Sequence, residues 1–132
     1  MTCVWNSLIA GLRDEDMRRV LSINKSQAQA QPHLFVEGLK RVNRPTPNVR
    51  WQGQPLTSQE LKENTEWIRD YNAAGIGGGH LTSSSDPFMH LVSEVFGVSI
   101  RHNYQGHEIR FDPPQPKYTV RVCSSRGHMS AC

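Results

Sequence analysis

The hydrophobic pattern of this chain changes its period at Gly97. Before that glycine, residues 86–96 begin with Asp-Pro and carry apolar side chains at helical spacing, which predicts a helix that ends at Gly97. After it, residues 100–104 and 109–111 alternate apolar and polar side chains on either side of Gln105-Gly106, which is typical of a β-hairpin. This order predicts an α+β domain in which helices pack on a small, mostly antiparallel sheet.

Further helices are predicted before Gly97. Residues 1–12 place apolar side chains four apart, which indicates a buried helix near the first residues. The charged stretch 14–19 either continues this helix as a solvated face or begins a second one, and residues 33–42 suit another short helix. Thr57-Ser58-Gln59-Glu60 has the pattern of a capping box and starts a helix that includes Tyr71.

Loops and a third strand account for the other segments. Polar residues 26–31 precede a proline and predict a loop, and residues 44–55, with three prolines and a Gln52-Gly53 turn, predict a loop or an irregular edge. Residues 73–85 are rich in glycine and serine and predict a further loop. A strand is expected over 118–122, after the proline-rich break at 113–116.

Composition restricts the class of protein. The chain has 132 residues, which suits one domain over 1–132 with a core that needs no disulfide or metal. Its formal net charge is +3, and the lysines and arginines are scattered, without the clustered stripe typical of a nucleic-acid surface, so a nucleic-acid partner is not favoured. No apolar run has the length of a membrane span, and no signal peptide is visible. Three cysteines, an odd number, favour reduced thiols and a cytoplasmic location.

Two residues near the ends of the chain, Cys3 and His128, are the candidate catalytic pair. Cys3 lies where the first helix is predicted to begin, and the positive end of a helix dipole stabilises a thiolate. His128 follows the last predicted strand, where a turn can direct an imidazole toward a helix end. In cysteine proteases, a cysteine that begins a helix is the nucleophile and a histidine at the end of a strand is the general base. The plainer interpretation is a buried cysteine and a surface histidine, and spacing alone does not decide between the two.

Three segments resemble the ovarian-tumour (OTU) family of cysteine proteases. Residues 3–8, Cys-Val-Trp-Asn-Ser-Leu, are similar to the nucleophile helix of that family. Residues 85–100 are similar to its central helix and the strand that follows, and residues 120–129 to its final strand and catalytic histidine. The resemblance is best over 57–132 and looser over 13–56, and the short chain resembles the compact viral members of the family.

The resemblance implies a papain-like, OTU-like architecture with Cys3 as nucleophile and His128 as general base, and neither a metal nor an organic cofactor. The implied activity is hydrolysis of the bond after the C-terminal glycines of ubiquitin or of a ubiquitin-like modifier. Some compact viral members of the family also cut a viral polyprotein. The expected partner is therefore ubiquitin or a ubiquitin-like protein, and we expect a monomer in the cytoplasm, of the host cell if the chain is viral.

The sequence departs from the family pattern at two points. The family's cysteine usually follows an Asp-Gly-X stretch that helps to form the oxyanion hole, whereas here the backbone N–H groups of Thr2 and Cys3 are the candidate donors. The family often has Asp or Asn two residues after the histidine as third triad member, where this chain has Ser130. Ser130 and, by residue type, Asn6 are weak candidates for that role. A weak or inactive enzyme is therefore a further alternative.

Two other classes of function remain open. One is a non-catalytic module that keeps the fold and binds ubiquitin or another protein. The other is a basic RNA-binding domain, because arginines and tryptophans are mixed over residues 41–67. Trp51 and Trp67 are better explained as core residues.

Three further groups of residues carry weaker alternatives. A zinc site built from Cys123, His128 and Cys132, with His107 or Cys3, fits no familiar ligand spacing. Residues 77–79 are three glycines without the lysine and spacing of a phosphate-binding loop, so a flexible loop is favoured. Four further histidines are expected at the surface or its boundary: His80, His90, His102 and His107.

Overall fold

The computed structural model describes residues 3–72, 86–104, 106–125 and 128–131. Helices come first and most of the sheet comes last, as the periodicity predicts. The helices are α1 (Cys3–Gly11), α2 (Asp14–Leu21), α3 (Lys25–Ala30), α4 (Pro32–Arg41), α5 (Ser58–Asp70) and α6 (Asp86–Phe96). The strands are β1 (Arg50–Trp51), β2 (Gln54–Pro55), β3 (Ser99–Tyr104), β4 (His107–Asp112), β5 (Thr119–Ser125) and β6 (His128–Ala131).

The strands form one sheet in the order β2-β1-β4-β3-β5-β6. The predicted hairpin is present: β3 and β4 pair antiparallel, with Ile100 opposite Phe111 and Tyr104 opposite His107. All other pairings are antiparallel except that of β3 with β5, which is parallel. The parallel pairing arises because residues 113–118 cross from one side of β3 to the other, and Lys117 N–H donates to the Gly97 carbonyl at 2.8 Å.

The core lies between the helices and one face of this sheet. On β3 and β5, Ile100, Val120 and Val122 are buried, whereas the alternate positions Arg101 and Arg121 are partly or fully exposed. Such alternation is expected of a sheet with one face on the core and the other in water. α1 packs on β5 and β6, and α6 packs on β3 and β4. The predicted α+β class, with helices on a mostly antiparallel sheet, is therefore confirmed.

The prediction of a loop over residues 26–31 is wrong, because α3 occupies most of this segment. The helix begins after Asn24, whose side-chain oxygen accepts from Gln27 N–H at 2.8 Å. In return, Gln27 Oε1 accepts from the Asn24 N–H at 2.9 Å. This reciprocal capping box stabilises the first turn, and the buried Ala28 anchors the helix to the core.

The irregular edge predicted over 44–55 contains a short hairpin, β1 and β2. Its turn residues have positive φ, +52° at Gln52 and +80° at Gly53, as a tight two-residue hairpin turn requires. Trp51, expected in the core, is instead 40% exposed. Trp67 is half-buried and packs against the core cluster.

Two of the four histidines expected at the surface or its boundary are buried. His90 in α6 and His102 in β3 are 3% and 2% exposed, because each occupies a position that faces the opposite layer. His107 is exposed. His80 and the three glycines at 77–79 lie outside the described residues. Within the described ranges, no helix is both long enough and apolar enough to cross a membrane.

Candidate active site

The position of Cys3 is determined by the helix that contains it. The described part of α1 begins at Cys3, and Trp5, two residues later, is fully buried. The Trp5 ring makes edge contacts with Phe88 at 4.8 Å, Tyr71 at 5.9 Å and Phe35 at 6.5 Å between centroids. These rings come from three other parts of the chain. The first turn of α1 is therefore held by the core and not only by its own hydrogen bonds.

The last residue of α1 determines which way the helix lies on the sheet. Gly11 is so close to β5 that a Cβ at this position would lie 2.5 Å from Val120 Cγ1. β6 pairs only with the far end of β5, from Val122 to Ser125, and α1 contacts both strands. Since the C-terminal end of α1 lies near the start of β5, its N-terminal half must make the contacts with β6. The backbone thus brings the Cys3 end of α1 toward β6.

His128 begins β6, where it stands opposite Ser125 of β5. The prediction that His128 follows the last strand is wrong in this respect, because a further strand starts at that residue. β6 has only four residues, His-Met-Ser-Ala, and none of them is β-branched or aromatic, so the sequence does not predict it as a strand. Ser130 lies two residues further along β6, opposite Cys123.

Four of the predicted site residues lie on two elements that pack against each other. Cys3 and Asn6 are on α1, His128 and Ser130 are on β6, and these two elements pack against each other. Asn6 is exposed. Thr2 lies outside the described residues. The roles of all five residues stay predictions.

The proposed zinc ligands are distributed over several elements. Cys123 is in β5 and His128 in the neighbouring β6, whereas His107 begins β4, on the far side of β3. Cys132 lies outside the described residues. Among the residues that are described, no three His, Cys, Asp or Glu side chains form a group that could hold a metal ion.

His102 is a buried histidine of β3, the strand next to β5. It stands opposite Val122 in β5 and Ile109 in β4. Burial lowers the pKa of His102 below its ordinary value, which favours the neutral imidazole. Sequence reasoning placed this residue at the boundary, since alternation alone does not show which strand will be central in the sheet.

A comparison with protein-family models, with curated protein sequences and with solved structures gives no match. Any assignment of a site therefore depends on the residues of this chain and on their positions in the fold.

Proposed function

We propose that this chain is a cysteine protease of papain-like, OTU-like architecture that hydrolyses the bond after the C-terminal glycines of ubiquitin or a ubiquitin-like modifier. The observation that supports this proposal is the packing of α1, which begins at Cys3, against β6, which begins at His128. Thiol proteolysis requires a cysteine with a base within hydrogen-bond reach, and in a papain-like site the cysteine begins a helix that packs beside the strand of the base. The residues similar to the OTU family, 3–8 and 120–129, supply these two elements.

The proposed reaction has two steps. The imidazole of His128 takes the proton of the Cys3 thiol, and the thiolate attacks the carbonyl carbon of the last glycine. The C–N bond then breaks, His128 returns the proton to the leaving amine, and a thioester remains on Cys3. Water, deprotonated by His128, cleaves the thioester and regenerates the thiol. No cofactor takes part in this sequence.

Two supporting roles complete the proposal. The backbone N–H groups of Thr2 and Cys3 would hold the oxyanion of the tetrahedral intermediate. Ser130, two residues along β6 from His128, would accept a hydrogen bond from the imidazole, and Asn6 is the alternative by residue type. A neutral partner stabilises an imidazolium less than a carboxylate does, so we expect slower turnover than an Asp-containing triad allows.

The cysteine count suggests where the enzyme acts. Three cysteines, an odd number, favour reduced thiols, so we propose a monomer in the cytoplasm, of the host cell if the protein is viral. Cleavage of a viral polyprotein is a second use that the resemblance suggests for the same residues.

An electrophilic ubiquitin probe tests this proposal. Ubiquitin that carries a vinyl ester or alkyne at its C-terminus should form one covalent adduct with the chain, and C3A should abolish the adduct. C123A is the matched control and should still react. Peptide mapping by mass spectrometry identifies the modified thiol. Modification of Cys123 or Cys132 in place of Cys3, or no adduct with probes for ubiquitin and its relatives, would contradict the proposal.

The role of His128 is tested separately from folding. H128A should abolish the adduct and the cleavage of a ubiquitin substrate, while its thermal unfolding midpoint stays close to that of the wild type. A large loss of stability would mark His128 as structural. Ubiquitin binding that persists in C3A without any turnover by the wild type would indicate a non-catalytic binding module. Affinity for RNA that falls steeply with added salt would indicate a nucleic-acid-binding domain.

A further inference from the structure

A groove lies at the opposite side of the sheet from β6, between the β1–β2 hairpin, α5 and α6. Its volume is about 270 Å³. The lining residues are Trp51, Leu56, Glu60, Glu63, Asn64 and His90. β1 and β6 are separated by four strand spacings in the sheet order, or about 19 Å. The groove is therefore separate from the candidate active site.

Trp51 forms one wall of this groove. The pairing of β1 with β4 determines the face of the sheet on which its side chain lies. It stands opposite Phe111 in β4, so the two side chains lie on the same face of the sheet. Phe111 is fully buried and packs against the ring of His90 at 5.0 Å between centroids. Trp51 thus continues the apolar face of the sheet beyond the edge of α6. Of the large apolar side chains that the structure describes, Trp51 is the only exposed one.

Two carboxylates line the same groove as the indole. Glu60 and Glu63 are three residues apart on α5 and share a helix face. Glu60 Oε1 accepts from Thr57 N–H at 2.8 Å, and Glu63 Oε1 accepts from Gln59 Nε2 at 2.9 Å. These bonds restrain the side chains but use only part of the acceptor capacity of each carboxylate.

The charge of this wall is not neutralised by a lysine or arginine of the described chain. Neither Glu60 nor Glu63 belongs to an ion pair with a described lysine or arginine. The hydrogen bonds from Thr57 and, to a smaller extent, the charge of the nearby His90 lower the pKa of Glu60, so its carboxylate is ionised at neutral pH. An aromatic ring and two carboxylates that line one groove are complementary to a planar cation.

We propose that this groove binds an arginine side chain from a basic segment of a partner protein. The guanidinium stacks on the Trp51 indole, and its N–H groups donate to the carboxylates of Glu60 and Glu63. Arginine suits this geometry better than lysine because the guanidinium is planar and presents several donors in fixed directions. Binding at this site does not depend on the proposed proteolysis, so the C3A protein should bind in the same way.

The experiment uses the ¹⁵N-labelled full chain and a pentapeptide amide that contains two arginines separated by glycines. The indole N–H signals of the tryptophans are assigned with single Trp→Phe variants. Titration should shift the Trp51 signal saturably and leave that of the buried Trp5 in place. A peptide with glutamine in place of arginine should bind at least about fivefold more weakly, and rising salt should weaken the arginine peptide.

Matched variants test each wall of the groove. W51A, and separately the double variant E60Q/E63Q, should weaken the arginine peptide by about fivefold or more. Glutamine is also found at the third position of a capping box, so E60Q should leave α5 intact. E37Q removes an exposed carboxylate from α4 and should leave affinity unchanged. The proposal is overturned if the glutamine peptide binds equally, if E60Q/E63Q has no effect, if an acidic peptide or an oligonucleotide shifts Trp51 as strongly, or if no saturable shift occurs at millimolar peptide.

Discussion

Asp16 shows how a single buried charge connects two distant segments of the chain. It is only 6% exposed, and its carboxylate accepts from the Tyr118 hydroxyl at 2.8 Å and from Arg19 Nη2 at 3.1 Å. The Tyr118 oxygen in turn accepts from Arg13 N–H at 3.0 Å. Burial alone would raise the pKa of Asp16, but these hydrogen bonds and the nearby charge of Lys117 outweigh it and lower the pKa.

Replacement of this carboxylate should destabilise the protein in a pH-dependent way. D16N should lower the free energy of unfolding at pH 7 by about 1–2 kcal/mol, because a charge-assisted hydrogen bond is lost. Folding lowers the pKa of Asp16 below its ordinary value of 3.8. The contribution of Asp16 to the free energy of unfolding is therefore fully present at pH values above 3.8, and it is lost as the pH falls through the folded-state pKa. Urea unfolding at neutral and strongly acidic pH measures the difference between the two proteins.

The exposed Asp70, which pairs with Arg69 at 2.9 Å, provides the control. D70N should cost little, because exposed ion pairs contribute weakly. An equal cost for D70N, or a D16N defect that persists at strongly acidic pH, would contradict the role assigned to Asp16. The pKa of Tyr118, which burial and Asp16 raise to about 12, provides an independent readout by ultraviolet titration.

At the scale of the elements, the close approach of α1 to β5 determines where the Cys3 end of the helix lies. Gly11 permits this approach, because any larger side chain would meet Val120. Alanine elsewhere in a helix is favoured over glycine by about 1 kcal/mol, so the two effects oppose each other at this position. The steric effect is the larger one, since the wall of the contact is a branched and buried side chain.

G11A should therefore destabilise the protein by about 1–3 kcal/mol and slow the reaction of Cys3 with the ubiquitin probe, because α1 is displaced from the sheet. The double variant G11A/V120A isolates the cause. If the added methyl group clashes with Val120, G11A should cost much less in the V120A background, and unfolding of all four proteins in urea gives the coupling energy. Additive costs would show that the contact does not restrict Gly11.

At the scale of the whole molecule, Phe88 joins the helical layer into one core. Its ring lies 4.8 Å from that of Trp5, 5.1 Å from that of Tyr71 and 5.6 Å from that of Trp67. Phe88 thus connects α6 to α1 through Trp5, and to α5 through Trp67 and Tyr71, the residue that follows α5. Since α1 and α6 also pack on the two halves of the sheet, disruption at Phe88 should be felt throughout the fold.

We expect F88A to lower the free energy of unfolding by about 3–5 kcal/mol, and F88L to cost clearly less because it leaves a smaller cavity. Such a loss is a large fraction of the stability of a typical domain. For the wild type and F88L, tryptophan fluorescence and far-ultraviolet circular dichroism should report the same urea midpoint, as one domain over 1–132 predicts. Two separate transitions would contradict the single-domain prediction.

Capping residues and turn glycines made much of the local structure predictable. Thr57 and Glu60 form the predicted reciprocal capping box, and Gly97 has the positive φ of +68° expected after a helix. The helix at 25–30 was missed because its capping box uses Asn24 and Gln27 in a polar stretch without a visible apolar stripe. β6 was missed for a related reason, since it has only four residues and none of them is β-branched or aromatic.

The sequence by itself determined the local structure of this protein: where the main helices start and stop, the β3–β4 hairpin, and the polar and apolar faces of the sheet. These features depend on backbone preferences and on side chains within a few residues of one another. Only the tertiary structure decided the parallel pairing of β3 with β5, the burial of His90 and His102, the exposure of Trp51 and the packing of α1 on β6. Each of these depends on which distant segments cover which surface, and no short stretch of sequence contains that information, because burial is a property of the packed chain as a whole.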